Sequence, residues 1–131
     1  MPFLGQIMDE SSIDLATKEL VIMRVSQLNG CVYCLAAHRP VALDAGVSDS
    51  QLAAVCDLAG LDSLSPRERA IMAWVDQVTR DASGVTDALV AATLDHLRDD
   101  QLVELTVLAG TITMLNQYCT AFQIPPPRVG L

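Results

Sequence analysis

The chain has 131 residues, the size of one domain with a core of its own, and reads as a single domain over residues 1–131. Hydrophobic residues make up 51% but aromatics only 4%; a core of Ala, Leu and Val favours packed helices over a β-sandwich. The net charge of −8, with eight basic residues, argues against binding nucleic acid or anionic membranes through a basic face.

The opening MPFLGQIMDESS lacks the basic start and continuous apolar run of a secretory signal. No stretch has the roughly 18 uncharged apolar residues of a spanning helix. The most apolar segment, residues 102–115, carries Glu104 and reads as a buried helix. The expectation is a cytoplasmic chain. There a CxxC pair is catalytic or metal-binding more often than a structural staple.

The first expected helix covers residues 12–28, with Ser11 or Ser12 as cap and Asp14 in its first turn. It is apolar nearly all round, which implies burial on several sides. Ile22, Leu15, Ser26, Glu19, Met23 and Ala16 share one arc, so Glu19 is a carboxylate in an apolar stripe. Such a charge needs a partner or must be suppressed.

Asn29 and Gly30 read as a turn, and a second helix starts near Val32 and stops at Gly46. Pro40 falls inside it and should kink or reset it just past His38. Cys31 and Cys34 lie at the helix N-terminus, where the helix dipole favours thiolate. Cys34 and His38, four residues apart, share a face. An antiparallel return through the short turn would bring Glu19 and His38 to similar heights.

A third helix starts at Asp49, capped by Ser48, and runs to about Ala59 with Gly60 as its stop. Ser65-Pro66-Arg67-Glu68 is a capping box with proline at the first helical position, opening a fourth helix to about Arg80. Ser83-Gly84 breaks the chain, and Thr86 caps a fifth helix to about Leu97. Asp99 or Asp100 opens a long sixth helix to about Phe122, followed by an extended Pro125-Pro126-Pro127 tail. The fold class is therefore all-α, a bundle of about six helices.

Four readings compete with a redox pair for Cys31, Cys34 and His38. Structural zinc needs a fourth ligand from a second ligand pair, whereas Cys56, Cys119 and His96 stand alone. A c-type haem needs histidine directly after the second cysteine, where Leu35 stands. An iron–sulfur cluster lacks four clear thiolates. A redox pair is favoured over these and over a plain buried pair. Cys56 and Cys119 read as small core residues, Trp74 as core or interface, and His96 as an exposed group near a helix end. Asn116 and Gln117 read equally as lining an oligomer cleft or as cap or surface residues.

Glu19, then Cys31, Cys34 and His38, resembles the Glu…Cys-x-x-Cys-x-x-x-His signature of the alkylhydroperoxidase D-like (AhpD-like) group in the carboxymuconolactone decarboxylase superfamily. The flanking Asn29-Gly30 and Ala45-Gly46-Val47-Ser48 agree, and the likeness spans residues 13–122. The resemblance implies an all-α fold and a thiol-dependent peroxidase or disulfide oxidoreductase acting on organic hydroperoxides. Cys34 would attack the peroxide and Cys31 would resolve it to a redox-active Cys31–Cys34 disulfide. Glu19 and His38 would relay protons. No metal or other cofactor is implied. Implied partners are other copies of the chain (a dimer at least, a trimer or hexamer by resemblance) and a dithiol donor such as a lipoyl or thioredoxin-like protein. Some members carry histidine where this chain has Tyr33, which could donate a hydrogen bond or simply pack. Two other readings are a non-peroxidatic redox switch or helper subunit, and decarboxylase chemistry, against which the cysteine pair argues.

Overall fold

The computed structural model describes residues 11–57 and 61–127. Among them are six α-helices and no strand: α1 Leu15–Leu28, α2 Val32–Asp44, α3 Asp49–Asp57, α4 Pro66–Asp81, α5 Asp87–Leu94 and α6 Asp99–Ala121. Two 3-10 turns, Leu61–Ser63 and Ala82–Gly84, lie before and after α4. The all-α expectation holds, and the CxxC pair sits where α2 begins. Among the described residues, no helix is long and apolar enough to cross a membrane.

The bundle is built around α1. Every residue from Thr17 to Ser26 is buried, because α2, α3, α4 and α6 all pack against this helix. A helix covered on every side has no solvent face on which to place its polar residues, so each must be satisfied internally. Lys18 Nζ meets Glu104 of α6 at 3.0 Å. Arg24 grips Asp76 of α4 through Nε (2.7 Å) and a second nitrogen (2.6 Å), and gives a third hydrogen bond to the Val55 carbonyl (3.0 Å). Ser26 accepts from Asn116 of α6 at 3.1 Å. These polar bonds tie the central helix to three of its neighbours.

The helix boundaries follow the capping chemistry with two corrections. The cap of α1 is Asp14, not Ser11 or Ser12: its carboxylate accepts the Thr17 N–H at 3.2 Å and the Thr17 hydroxyl at 2.7 Å. Ser11 instead accepts the Ile13 N–H at 3.0 Å in the turn before it. Helix α5 stops at Leu94, not near Leu97. Leu97 still reaches the core at 6% exposure from the following turn, so its apolar character extended the helical pattern too far. The Ser65–Glu68 capping box and the Thr86 cap form as the sequence indicates. Pro40 does not reset the helix just past His38: α2 runs as one helix from Val32 to Asp44 with the proline inside it. The expected stop at Gly60 lies outside the described residues.

The Arg24–Asp76 pair gives a stability test. Removing one partner of a buried ion pair strands the other charge, at a cost of about 3 kcal/mol or more. Losing an exposed N-cap costs about 1 kcal/mol. Urea unfolding should therefore show Asp76→Ala losing clearly more stability than Ser65→Ala; equal losses would contradict this account of α1.

Candidate active site

The site begins with the way α1 ends. Gly30 adopts φ +66°, the left-handed region in which glycine pays no Cβ penalty. The Gly30 N–H reaches the Gln27 carbonyl at 3.2 Å, and the Cys31 N–H reaches the Ser26 carbonyl at 3.0 Å. This pair of bonds is a Schellman closure. It makes Cys31 the last residue tied to α1 and, at the same time, the N-cap of α2. The Cys31 sulfur accepts the Cys34 N–H at 3.3 Å, one of the four N–H groups that a helix start leaves without an intrahelical partner. Cys31 and Cys34 are joined as a disulfide with Cα atoms 5.3 Å apart. Both are buried, Cys31 at 1% and Cys34 at 7% exposure.

A polar cluster braces the turn from behind. Asn116 of α6, 1% exposed, donates to Ser26 and accepts from the Asn29 side chain at 3.0 Å. Asn29 also lies 3.3 Å from the Thr113 hydroxyl. Asn116 is thus buried and bonded to the turn, not a surface or cap residue, while Gln117 is exposed. The spacing of Leu105, Leu108, Ala109, Ile112 and Asn116 on one helix face is the signal that places it inside.

One turn beyond Cys34, His38 Nδ1 lies 3.0 Å from Glu19 Oε2. The Glu19 side chain is 1% exposed and that of His38 29%. The two meet because α2 returns antiparallel along α1 after the short turn. A carboxylate is an acceptor only, so paired with ionised Glu19 it is Nδ1 that carries the ring proton, leaving Nε2 as the free nitrogen. Tyr33 is half-buried and makes no side-chain hydrogen bond among the described residues. His96 is exposed. Trp74 is core, its indole donating to Thr106 at 2.9 Å.

The two remaining cysteines differ. Cys56 is half-buried and lines an apolar cavity of about 320 Å³ with Met23, Val32, Leu35 and Arg39. This cavity opens on a neighbouring face of α2, and neither Cys31, Cys34 nor His38 lines it. Burial pushes the Cys56 thiol up, and adjacent Asp57 adds to the effect. Cys119 is also half-buried, but its sulfur lies with those of Cys31 and Cys34, all three within 4.8 Å of one another. Reading it as a plain core residue missed this. The row Leu108, Ile112, Leu115, Cys119 along α6 carries the signal, because it aims the last member at the same side as the core.

An all-helical bundle with a disulfide at a helix start, and a paired glutamate and histidine one turn on, is an arrangement suited to thiol redox chemistry. The comparisons agree with that reading. The family model described as the carboxymuconolactone decarboxylase family matches residues 1–77. The uncharacterized protein YdfG of Bacillus subtilis is 30% identical over 113 residues, covering 86% of this chain and 77% of YdfG. A crystal structure of a protein of unknown function from Agrobacterium tumefaciens, provisionally named antioxidant defence protein AhpD, superposes with a TM-score of 0.88 at 26% identity, covering 97% of this chain and 88% of that one. The alkylhydroperoxidase AhpD core of an uncharacterized peroxidase-related protein from Ralstonia eutropha gives 0.84 at 18% identity, over 94% of this chain and 65% of that one. The chain belongs to the carboxymuconolactone decarboxylase family, as an AhpD-like member. Fold and cysteine pair together support a peroxidase-related redox role.

Two measurements follow. Asn116→Ala leaves Ser26 and Asn29 short of partners and should cost about 1–3 kcal/mol; an unchanged urea midpoint would remove the polar brace from the account. Because the folded Cys56 thiol is raised, its thiolate appears only as pH climbs through that raised value. Iodoacetamide should label Cys56 of folded, reduced protein slowly at neutral pH and faster in alkali. Rapid labelling already at neutral pH would contradict its burial.

Proposed function

We propose that this protein is a thiol-dependent peroxidase that reduces organic hydroperoxides through Cys34 and Cys31, with His38 and Glu19 moving the protons. The observation that carries the proposal is the 3.0 Å pairing of buried Glu19 with His38 on the helix that starts with the disulfide. In the reduced protein, His38 takes the Cys34 proton, sharing a helix face with it at a spacing of four. The Cys34 thiolate attacks the hydroperoxide: a sulfur–oxygen bond forms, the oxygen–oxygen bond breaks, and the alkoxide leaves as alcohol with the proton held by His38. Cys34 becomes a sulfenic acid. Cys31 attacks it, the disulfide forms and water leaves.

Two features support this division of labour. Cys34 is the more exposed of the pair, at 7% against 1%, which suits the sulfur that meets substrate. The Cys34 N–H against the Cys31 sulfur favours a thiolate at Cys31, which suits the resolving step. The cycle closes when an external dithiol, a lipoyl or thioredoxin-like protein, reduces the disulfide. It needs no metal or other cofactor. The setting we propose is cytoplasmic.

The working form is an oligomer, a dimer at least and by family likeness a trimer or hexamer. Its support is a stripe along α6, where Val103, Val107, Met114 and Tyr118 lie on one face and are 44–63% exposed. Isolated exposed apolar residues are ordinary, but a helix-long row of them marks a contact surface.

Glu19→Gln keeps the shape and removes the charge. With purified protein, cumene hydroperoxide and a dithiol, turnover should fall about ten- to a thousand-fold. Alkylation of the reduced cysteines at neutral pH should slow in parallel, with the helical signal intact. A folded variant with full turnover would make Glu19 structural. Native protein that cycles its disulfide but turns over no hydroperoxide would instead favour a redox switch.

A further inference from the structure

The three-sulfur cluster is larger than the proposed peroxide chemistry requires. Two cysteines suffice to form and close the disulfide; the third, Cys119, comes from the far end of α6. Its position is fixed on both sides. Leu108, Ile112 and Leu115 carry the same helix face into or against the core. Beyond it, the Ile124 N–H returns to the Cys119 carbonyl at 2.9 Å and the Gln123 N–H to the Thr120 carbonyl at 3.1 Å. This second Schellman closure holds although its left-handed residue is Gln123, at φ 52°, where glycine is usual. Cys119 is therefore held in a defined place rather than on a loose tail, with its sulfur within 4.8 Å of both disulfide sulfurs.

Access separates the three. Cys31 and Cys34 are 1% and 7% exposed, whereas Cys119 is half-buried and carries a free thiol. Thiol–disulfide exchange needs direct attack of a thiolate on sulfur, so a buried disulfide is a poor target for a protein-borne dithiol. A thiol exposed on one side and facing the disulfide on the other is a better one.

We propose that Cys119 is an exchange cysteine that carries reducing equivalents from an external dithiol to the buried Cys31–Cys34 disulfide; this rests on the redox cycle proposed above. The Cys119 thiolate attacks Cys34, the more exposed member of the pair. A Cys34–Cys119 bond forms, the Cys31–Cys34 bond breaks, and Cys31 leaves as a thiolate facing the Cys34 N–H. The sulfurs start within 4.8 Å of one another, so the approach is short. The external dithiol then attacks Cys119, displacing the Cys34 thiolate and forming a mixed disulfide. The donor's second thiol resolves that bond, leaving an oxidised donor and three thiols on this chain. Two electrons pass from donor to protein, and the Cys31, Cys34 and Cys119 thiolates take up three protons, two released by the donor thiols and one by Cys119 before its attack.

The test needs no peroxide, so its outcome is independent of the peroxidase assay. First, folded Cys31→Ser protein is oxidised with diamide and mapped by peptide mass spectrometry. An intrachain Cys34–Cys119 disulfide is expected. Second, native and Cys119→Ser proteins, both with the Cys31–Cys34 disulfide preformed, are reduced with thioredoxin and with dithiothreitol, and quenched by alkylation. The Cys119→Ser protein should be reduced by thioredoxin at least about ten-fold more slowly, and the smaller dithiothreitol should show a lesser deficit. Circular dichroism confirms that each variant folds; if Cys119→Ser does not, Cys119→Ala takes its place. Reduction by thioredoxin at the native rate overturns the proposal. So does a folded Cys31→Ser protein that leaves Cys119 as a free thiol. One equivalent of zinc bound by the reduced native chain and lost with Cys119 would assign the cluster to a metal and overturn it as well.

Discussion

A carboxylate cannot sit at 1% exposure inside an apolar helix without a partner, and the arrangement of this protein follows from that constraint at Glu19. Its partner is His38, and the partner can arrive only if the next helix turns back at once along α1. The Asn29-Gly30 turn provides the reversal. The CxxC pair occupies the reversal itself, so the geometry that satisfies the buried charge also delivers two thiols and an imidazole to one face of α2. Structural need and chemical capability share the same atoms. Lys18 and Arg24 on the same helix are satisfied by Glu104 and Asp76 in ion pairs, and those pairs have no chemistry beside them. What distinguishes Glu19 is that its partner is an imidazole, with the sulfur pair one turn away.

Helix termini do much of the remaining positioning. Helices α1, α2 and α6 each end in the same closure, with left-handed residues at Gly30, Gly46 and Gln123. The first places Cys31, and the third fixes the stretch that carries Cys119. In both cases the sulfur-bearing residue is held by backbone bonds and not by side-chain packing alone. The backbone thereby fixes each Cβ, and the single χ1 torsion of a cysteine is left to place its sulfur.

The fold was legible in the sequence because its signals are local. The Ser65-Pro66-Arg67-Glu68 box, the Thr86 cap and the glycines after helices are read within a few residues of each terminus. Errors came where a local signal had a rival. Asp14 could cap as well as Ser12, and only the three-dimensional path shows Ser11 engaged with Ile13. Leu97 is buried from a turn, so its burial carries no helical meaning. In the site, Glu19 stood out because charge in an apolar arc is physically anomalous, and its contact with His38 spans only 19 residues. The partners of Asn116 and Cys119 were not legible, although their inward face was. Their partners lie 90 residues away for Asn116–Ser26, and helical periodicity says which face is inward without saying what it meets.

The Glu19–His38 pair is open to a direct measurement. Nitrogen-15 chemical shifts of the His38 ring, recorded on histidine-labelled protein near neutral pH, report which nitrogen carries the proton. The account expects Nδ1 to be protonated and hydrogen-bonded to the carboxylate, with a shift that moves when Glu19 is replaced by glutamine. An unprotonated Nδ1 in the native protein, or a ring signal indifferent to Glu19→Gln, would contradict it.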